Sequence, residues 1–339
     1  MENENNQIRL TSSEMAQLWM QYLNDSGSIC VLTYFLEKVE DTEIKPIIEF
    51  ALQLSKNHIQ KLTSIFKEEK HAIPYGFSVE EDVDISAPRL FSDTYILNFI
   101  HQMSKIGLTT YAASVSAAVR EDITDFYMEC LAETSQLYKK SKELLLSKGL
   151  YIRSPYLPNL KKVEFVKKQG FILDVFNEKR PLVASEIANM YANIQRNALG
   201  AATITGFSQV TQSKEVNRFL IRGLEIAKKH IKLFASKFEE SNLSVPMTWA
   251  SEITDSTAFT FSDKLMMFYT SGMIGLSIGF YGTSVSQSPR ADLGVLYNRL
   301  SLEIQLYSED GSNIMIKNGW LEQPPMASDR EQLSKENKN

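Results

Sequence analysis

Two histidines at corresponding places in the chain are the residues whose type and spacing could support chemistry. His58 lies in the string SKNHI (55–59) and His230 in the string AKKHI (227–231), 172 positions apart. An imidazole titrates near neutral pH and binds transition metals, so it could carry a proton, hold a metal ion or bind a ligand. Apolar residues recur every three or four positions around His58, which predicts that its side chain faces the interior of a helix bundle.

Two tyrosines in each half are expected to meet the histidine of that half near the middle of the bundle. The rise of 1.5 Å per residue places all three groups at a similar depth if the second and third helices start at the same end. The candidates for a ligand site or a polar core are His58, Tyr111 and Tyr127 in the first half, and His230, Tyr281 and Tyr297 in the second. One interpretation is structural, because imidazole–phenol hydrogen bonds offset burial and fix the register of the helices. The other is a pocket or a proton-transfer site, and one of the groups could also point outward, so no catalytic residue is assigned.

The elements that must position these side chains are long helices. Helical spacing predicts helices over 12–38, 43–69, 93–117 and 120–148, with Ser12 or Ser13 capping the first and Ser92 or Asp93 the third. The connection over 71–92 exceeds the usual length of a bundle turn, so we expect it to cross along the bundle and return the chain to the other end.

The second half repeats the first. Identities at an offset of 172 include Phe35/Phe207 and Phe66/Phe238, and after the crossover the offset becomes 170, as in the strings FSD at 91–93 and 261–263. The sequence therefore predicts an all-α fold that is a tandem duplication of a ferritin-like four-helix bundle with long crossover connections. The expected domains are 1–160 and 161–327, followed by a disordered tail over 328–339 whose composition is polar and charged.

Several strings resemble a known family. LTSSE (10–14), IPYGF (73–77), APRLFSD (87–93) and KRPL (179–182) are similar to those of the DUF3231 family of bacilli, which consists of tandem ferritin-like bundles distantly similar to spore coat protein F. The resemblance covers nearly the whole chain. It implies a link to sporulation and to spore coat proteins as partners, and it brings no established activity.

The usual metal site of ferritin-like bundles is missing from the sequence. Such bundles hold two iron or manganese ions with a Glu from each of two helices and a Glu-x-x-His from each of the other two. Ser55 and Ala227 stand three residues before His58 and His230, in the position of the motif's glutamate. A complete di-metal site of this kind is therefore excluded in both halves, and no cofactor is predicted.

An atypical iron or manganese site is the alternative to a metal-free protein. It would be built on His58 with Asp25 or Glu133, which supply the nitrogen and oxygen ligands that these ions accept. The same set is weaker in the second half, where Asn197 replaces Asp25.

Composition limits the classes of partner and the compartment. A net charge of −5 argues against a nucleic-acid binder, which usually has a basic face. The two cysteines, Cys30 and Cys130, form no disulfide or zinc pattern, and the N-terminus has no apolar segment typical of a signal peptide. A cytoplasmic protein is therefore expected, with association with the spore as the alternative.

The stretch 265–289 carries no charged residue and is long enough to span a membrane. Its counterpart in the first half contains His101 and Lys105, which argues against a membrane helix. We therefore predict a fully buried helix that packs on the small residues of 198–202. The alternative is a homodimer contact through the face that carries Gly272, Gly275, Gly279 and Gly282.

Two functional hypotheses from different classes remain. The first is a non-enzymatic structural or interaction protein, linked to sporulation through the family resemblance. The second is a degenerate ferritin-like protein that binds a metal or a small ligand or acts as an oxidase. Whether the protein is an enzyme stays open in the sequence, with a non-enzymatic role favoured.

Overall fold

The computed structural model describes residues 8–173, 180–246 and 249–336. The described part contains eight long helices, and short helices at Val79–Asp82, Gly170–Leu173, Ala250–Glu252 and Arg330–Glu336. The long helices of the first half are α1 (Ser12–Lys38), α2 (Lys45–Glu68), α3 (Asp93–Ala117) and α4 (Glu121–Ser147). Those of the second half are α5 (Ala184–Val210), α6 (Lys214–Glu239), α7 (Asp263–Gln287) and α8 (Ala291–Lys317).

The two halves are similar four-helix units, which confirms the predicted all-α tandem architecture. In each half two helical hairpins are joined by a long crossover, 69–92 and 240–262. The segment 151–169 between the halves is irregular and mostly exposed. The ferritin-like assignment, the domain limits and the disordered tail stay predictions. In the tail, 330–336 form an exposed helix, and 337–339 lie outside the described residues.

Helix ends follow local chemistry. The cap of α1 is Thr11 and not Ser12 or Ser13 as expected, because the hydroxyl of Thr11 accepts from the amide of Glu14 and the Glu14 carboxylate accepts from the amide of Thr11. The same carboxylate also accepts the amides of Val119 and Arg120 at 2.9 and 2.8 Å. One buried glutamate therefore joins the start of α1 to the start of α4.

The prediction that the uncharged helix is fully buried is wrong. Helix α7 packs against α5, and Met273 approaches Gly200 there, but its glycine-bearing face is exposed. A Cβ added at Gly272, Gly275, Gly279 or Gly282 would meet nothing within 4 Å. Most of the buried residues of α7 are on the opposite side, among them Thr270 and Ile274. No helix in the described part of the chain is both long and apolar enough to cross a membrane.

The crossovers of the two halves pair with each other about a pseudo-twofold axis. The amide of Ser262 donates to the carbonyl of Asp82 at 2.9 Å, and the amide of Ser92 donates to the carbonyl of Glu252 at 2.9 Å. Because 82/252 and 92/262 both differ by 170, these are equivalent bonds made in opposite directions. A residue that contacts its own equivalent in the other half must lie close to this axis. Phe99 and its equivalent Tyr269 do so, with their ring centroids 6.2 Å apart.

The hydrophobic core is continuous across this contact. Buried side chains of both halves belong to one cluster, and Tyr34 of α1 packs its ring on Phe261 at 5.1 Å. The residue of the second half that is equivalent to Tyr34 is Gly206. A Cβ at Gly206 would be only 2.5 Å from the ring of Phe91, so this ring fills the space that a side chain would need. The two halves therefore join as the subunits of an isologous dimer do, but within one chain.

Candidate functional site

Three helices of the first half converge on His58. Its Nδ1 lies 3.2 Å from Oδ2 of Asp25 on α1, and its Nε2 lies 3.2 Å from Oε2 of Glu133 on α4. The imidazole is 5 % exposed and Asp25 is buried as well. The sequence connected Asp25 or Glu133 to His58 only as candidate ligands of an alternative metal site, and the structure brings all three together as a hydrogen-bonded row with the ring in the middle.

The charge of this row follows from its geometry. Burial alone would lower the pKa of His58, but the hydrogen bond with Asp25 and the neighbouring Cys130 raise it to about 11. An imidazolium whose two N–H groups each reach a carboxylate is favoured over the neutral ring, which could donate to only one of them. The first-half site is therefore a positive charge held between two carboxylates.

The phenols surround this row without bonding to the imidazole. Tyr111 has its ring centroid 6.0 Å from that of His58 and 6.4 Å from that of Tyr127. The Nε2 of Gln21 donates to the Tyr111 hydroxyl at 3.5 Å, and the Tyr127 hydroxyl has no partner among the described residues. The expected imidazole–phenol bond is absent in this half because the carboxylates of Asp25 and Glu133 occupy both ring nitrogens.

The second half makes the bond that the first half lacks. Nδ1 of His230 lies 2.8 Å from the hydroxyl of Tyr281, and Nε2 lies 3.2 Å from Glu303. Asn197 donates its amide N–H to the same hydroxyl at 2.9 Å, so the phenol O–H is directed at Nδ1 and Nε2 carries the proton. Tyr297 completes the group with its ring 5.9 Å from that of Tyr281.

This second imidazole is neutral and sealed. His230 has no exposed surface, and burial lowers its pKa although the hydrogen bond with Glu303 opposes the shift. Lys229 also binds Glu303 at 2.7 Å and competes for its charge. Two chemical differences separate the sites: the carboxylate of Asp25 against the amide of Asn197, and the thiol of Cys130 against the side chain of Leu300.

The first site opens into a large cavity. The cavity has a volume of about 770 Å³ and is bounded by both halves, and its lining includes Asp25, His58 and Tyr111. His230, Tyr281 and Tyr297 do not line it. Most of the remaining wall is apolar, with Leu54, Ile100 and Met103 from the first half and Ile226, Met273 and Ile304 from the second.

The residues do not fit the two-metal site of ferritin-like bundles. Asp25 and Glu133 approach opposite nitrogens of the His58 ring, so an ion on either nitrogen would have one of these carboxylates and not both. Within the described residues no group of three His, Cys, Asp or Glu side chains is arranged to hold a metal ion. The atypical site at Asp25, His58 and Glu133 stays a prediction that metal analysis has to test.

Comparisons with known proteins identify the family. A structure of "a putative spore coat protein" from Bacillus halodurans matches with 19 % identity and a TM-score of 0.42, over 46 % of this chain and 100 % of that one. No curated protein matches the chain. The model of the family described as "Protein of unknown function (DUF3231)" matches twice, over residues 1–163 and 170–333. The chain therefore belongs to the DUF3231 family, as two copies of its unit.

Proposed function

We propose that this protein is a non-enzymatic binding protein, and that its ligand is a small molecule with an apolar body and one polar group. The observation that carries the proposal is the cavity of about 770 Å³, which has a mainly apolar wall and a polar end at Asp25, His58 and Tyr111, with Arg196 and Asn197 among its other polar lining residues. Ligand sites in proteins usually have volumes of about 300–1,000 Å³, with a few polar groups that fix the orientation.

The polar end supports binding better than catalysis. Asp25 and Glu133 both accept from His58, so the imidazolium has no free lone pair with which to act as a base. The hydroxyl of Tyr111, which lines the cavity and has only a 3.5 Å contact with Gln21, can still donate to a polar group of a ligand.

A neutral fluorescent probe, N-phenyl-1-naphthylamine, tests the proposal. The probe should bind with a rise in fluorescence, and Ala51→Phe, which fills part of the cavity from α2, should weaken its binding at least tenfold. Ile226→Trp narrows the same space from α6 and should act in the same way. Ala112→Phe adds the same ring at an exposed position of α3 and should leave binding unchanged.

The outcome is decisive when the thermal unfolding of each variant is measured beside the titration. Folded cavity variants that bind the probe as tightly as the wild type would refute the proposal, and so would a wild type that does not bind it. A loss of binding in the exposed control would show that the probe reports surface adhesion and would also refute it.

Other roles from the sequence stay predictions. They are a structural or interaction role in sporulation, spore coat proteins as partners, a homodimer, and a cytoplasmic or spore-associated location. The timing of expression during the growth cycle is the first test of the link to sporulation. The metal-binding or oxidase alternative is tested by elemental analysis. Stoichiometric iron or manganese that is lost in His58→Ala and His230→Ala would favour it over the ligand-binding proposal.

A further inference from the structure

A second, smaller chamber lies where the two halves meet. Its volume is about 80 Å³, and it is bounded by α3, α5 and the residues that follow α4. The polar groups on its wall include His101 and Lys105 from α3 and Gln195 and Arg196 from α5, with Tyr151 beside them, and the wall also carries Asn98, Gln102 and Tyr191. His58 and Asp25 do not line this chamber, which shares Gln102, Arg196 and Leu199 with the wall of the larger cavity.

The chamber holds two cations without a compensating carboxylate. Lys105 lies over the ring of Tyr151 at 5.9 Å, and Arg196 lies over the ring of Phe280 at 3.7 Å and donates to Asn193 at 2.6 Å. Neither makes an ion pair with any residue that the structure describes. Burial lowers the pKa of both, and Arg196 lowers that of Lys105 further. Two partly buried cations that repel each other are costly unless an anion joins them.

Two neutral groups in the same wall lack hydrogen-bond partners. The Nε2 atoms of His101 and Gln195 are buried and unpaired among the described residues, and His101 is only 4 % exposed. Burial, with Lys105 and Lys142 nearby, lowers the pKa of His101 to about 3, so its ring is neutral.

The tautomer of His101 follows from its other nitrogen. The hydroxyl of Ser141 donates to the carbonyl of Tyr138 at 3.1 Å, so it accepts from Nδ1–H of His101 at 3.0 Å. Nε2 of His101 therefore presents a lone pair, which needs a donor, while the amide of Gln195 presents N–H groups, which need an acceptor.

The bundle architecture does not require these groups. The positions equivalent to His101 and Lys105 are Ser271 and Gly275, and those equivalent to Gln195 and Arg196 are Leu23 and Asn24. The other half therefore builds the same helix junction with small or neutral side chains. A purely structural explanation through the two cation–π contacts leaves the unpaired atoms of His101 and Gln195 unexplained, although an unpaired buried polar atom costs about 1–3 kcal/mol.

We propose that this chamber binds a small oxyanion that carries a hydroxyl group, of which inorganic phosphate is the simplest example. Arg196 and Lys105 would neutralise the charge, the amide of Gln195 would donate to one oxygen, and Nε2 of His101 would accept from the hydroxyl. The volume of about 80 Å³ has room for such an ion, since one water molecule needs only about 10–15 Å³ on the same measure. The inference does not rest on the apolar ligand proposed above, because His101, Lys105 and Gln195 line this chamber and not the larger cavity, although Arg196 borders both.

Calorimetric titration at pH 7 in a buffer free of phosphate tests the proposal on the full chain. Inorganic phosphate should bind at one site per chain, and sulfate, which has the same shape but no hydroxyl at this pH, should bind at least tenfold more weakly. Arg196→Asn and Lys105→Gln should each weaken phosphate binding at least tenfold. Lys140→Gln removes a cation that also lies over a ring but does not line the chamber, and it should change nothing.

His101→Ser, which introduces the residue of the other half, should remove the preference for phosphate over sulfate, because the lone pair that accepts the hydroxyl is gone. Thermal unfolding separates binding from folding: phosphate should raise the melting temperature of the wild type and not that of Arg196→Asn. No saturable heat with phosphate, equal affinity for sulfate, or undiminished phosphate binding in folded Arg196→Asn and Lys105→Gln would overturn the proposal.

Discussion

Replacing Asp25 by asparagine would give the first histidine site the residue that the second site has at the equivalent position, Asn197. The contact between Nδ1 of His58 and Oδ2 of Asp25 at 3.2 Å would lose its negative charge. A hydrogen bond to a charged group contributes about 1.5–3 kcal/mol, and one pKa unit corresponds to about 1.4 kcal/mol. We therefore expect the pKa of His58 to fall by about one to two units in Asp25→Asn.

The same change alters how stability depends on pH. Because the pKa of His58 is raised in the folded protein, the folded state holds a proton that the unfolded chain releases near pH 6.5. This contribution is complete below pH 6.5 and is lost as the pH rises toward about 11. In Asp25→Asn the loss ends at a lower pH, so the difference in unfolding free energy between variant and wild type should narrow in alkaline solution.

Histidine proton and carbon resonances give the direct measurement. The chain has four histidines, so the signal of His58 can be assigned by its loss in His58→Gln. The reverse variant, Asn197→Asp, should raise the pKa of His230 from its lowered value. Glu129→Gln removes an exposed carboxylate from the same helix as Glu133 and serves as the matched control.

An unchanged titration of His58 in folded Asp25→Asn would refute the argument that Asp25 holds the charge. Glu133 alone would then keep the imidazolium, and the difference between the two halves would need another cause. A shift of similar size in the Glu129→Gln control would show that general surface charge, not the hydrogen bond, sets the pKa.

Two further predictions concern the joints of the fold. Gly206→Ala places a Cβ 2.5 Å from the buried ring of Phe91, so chemical denaturation should show a loss of about 1–3 kcal/mol in the free energy of unfolding. Gly294→Ala meets nothing within 4 Å and should gain up to about 1 kcal/mol from helix propensity. Equal effects of the two changes would contradict the close contact at Gly206. Burial would raise the pKa of Glu14, but hydrogen bonds from the backbone amides of Arg120, Thr11 and Val119 lower it to about 2. The stabilisation from this carboxylate is therefore present above pH 4.5 and is lost as the pH falls toward 2. Glu14→Gln should unfold with a weaker dependence on pH in that range, and a wild-type acid profile would contradict this.

The helices could be predicted from the sequence because their signals are local. Apolar spacing gave all four helices of the first half to within about two residues, and α3 begins at Asp93 and ends at Ala117 as expected. The cap of α1 was misplaced by one residue, since three hydroxyl residues, Thr11, Ser12 and Ser13, adjoin there. Only the reciprocal bond with Glu14 selects Thr11.

The histidine sites could be predicted only in part. Helical spacing placed the phenols beside each imidazole, but it could not show that Asp25 and Glu133 would take both nitrogens of His58. Nor could it show which face of α7 lacks a neighbour, because periodicity describes one helix and packing needs two. The exposed side with Gly275 depends on how α5 and α7 cross, which no local pattern encodes.

A duplicated chain can do what a symmetric dimer cannot. In a homodimer every residue occurs twice, so a cation at an interface is repeated across the axis. Here the crossovers keep their reciprocal bonds, while Arg196 faces the small chamber and the equivalent residue of the first half is the neutral Asn24. The same freedom separates the charged, cavity-lining His58 from the neutral, sealed His230. Polar groups that would repel each other or stay unpaired as a matched pair are tolerable as single copies. The differences between the halves, more than their common core, are therefore the places where both proposed ligands are expected.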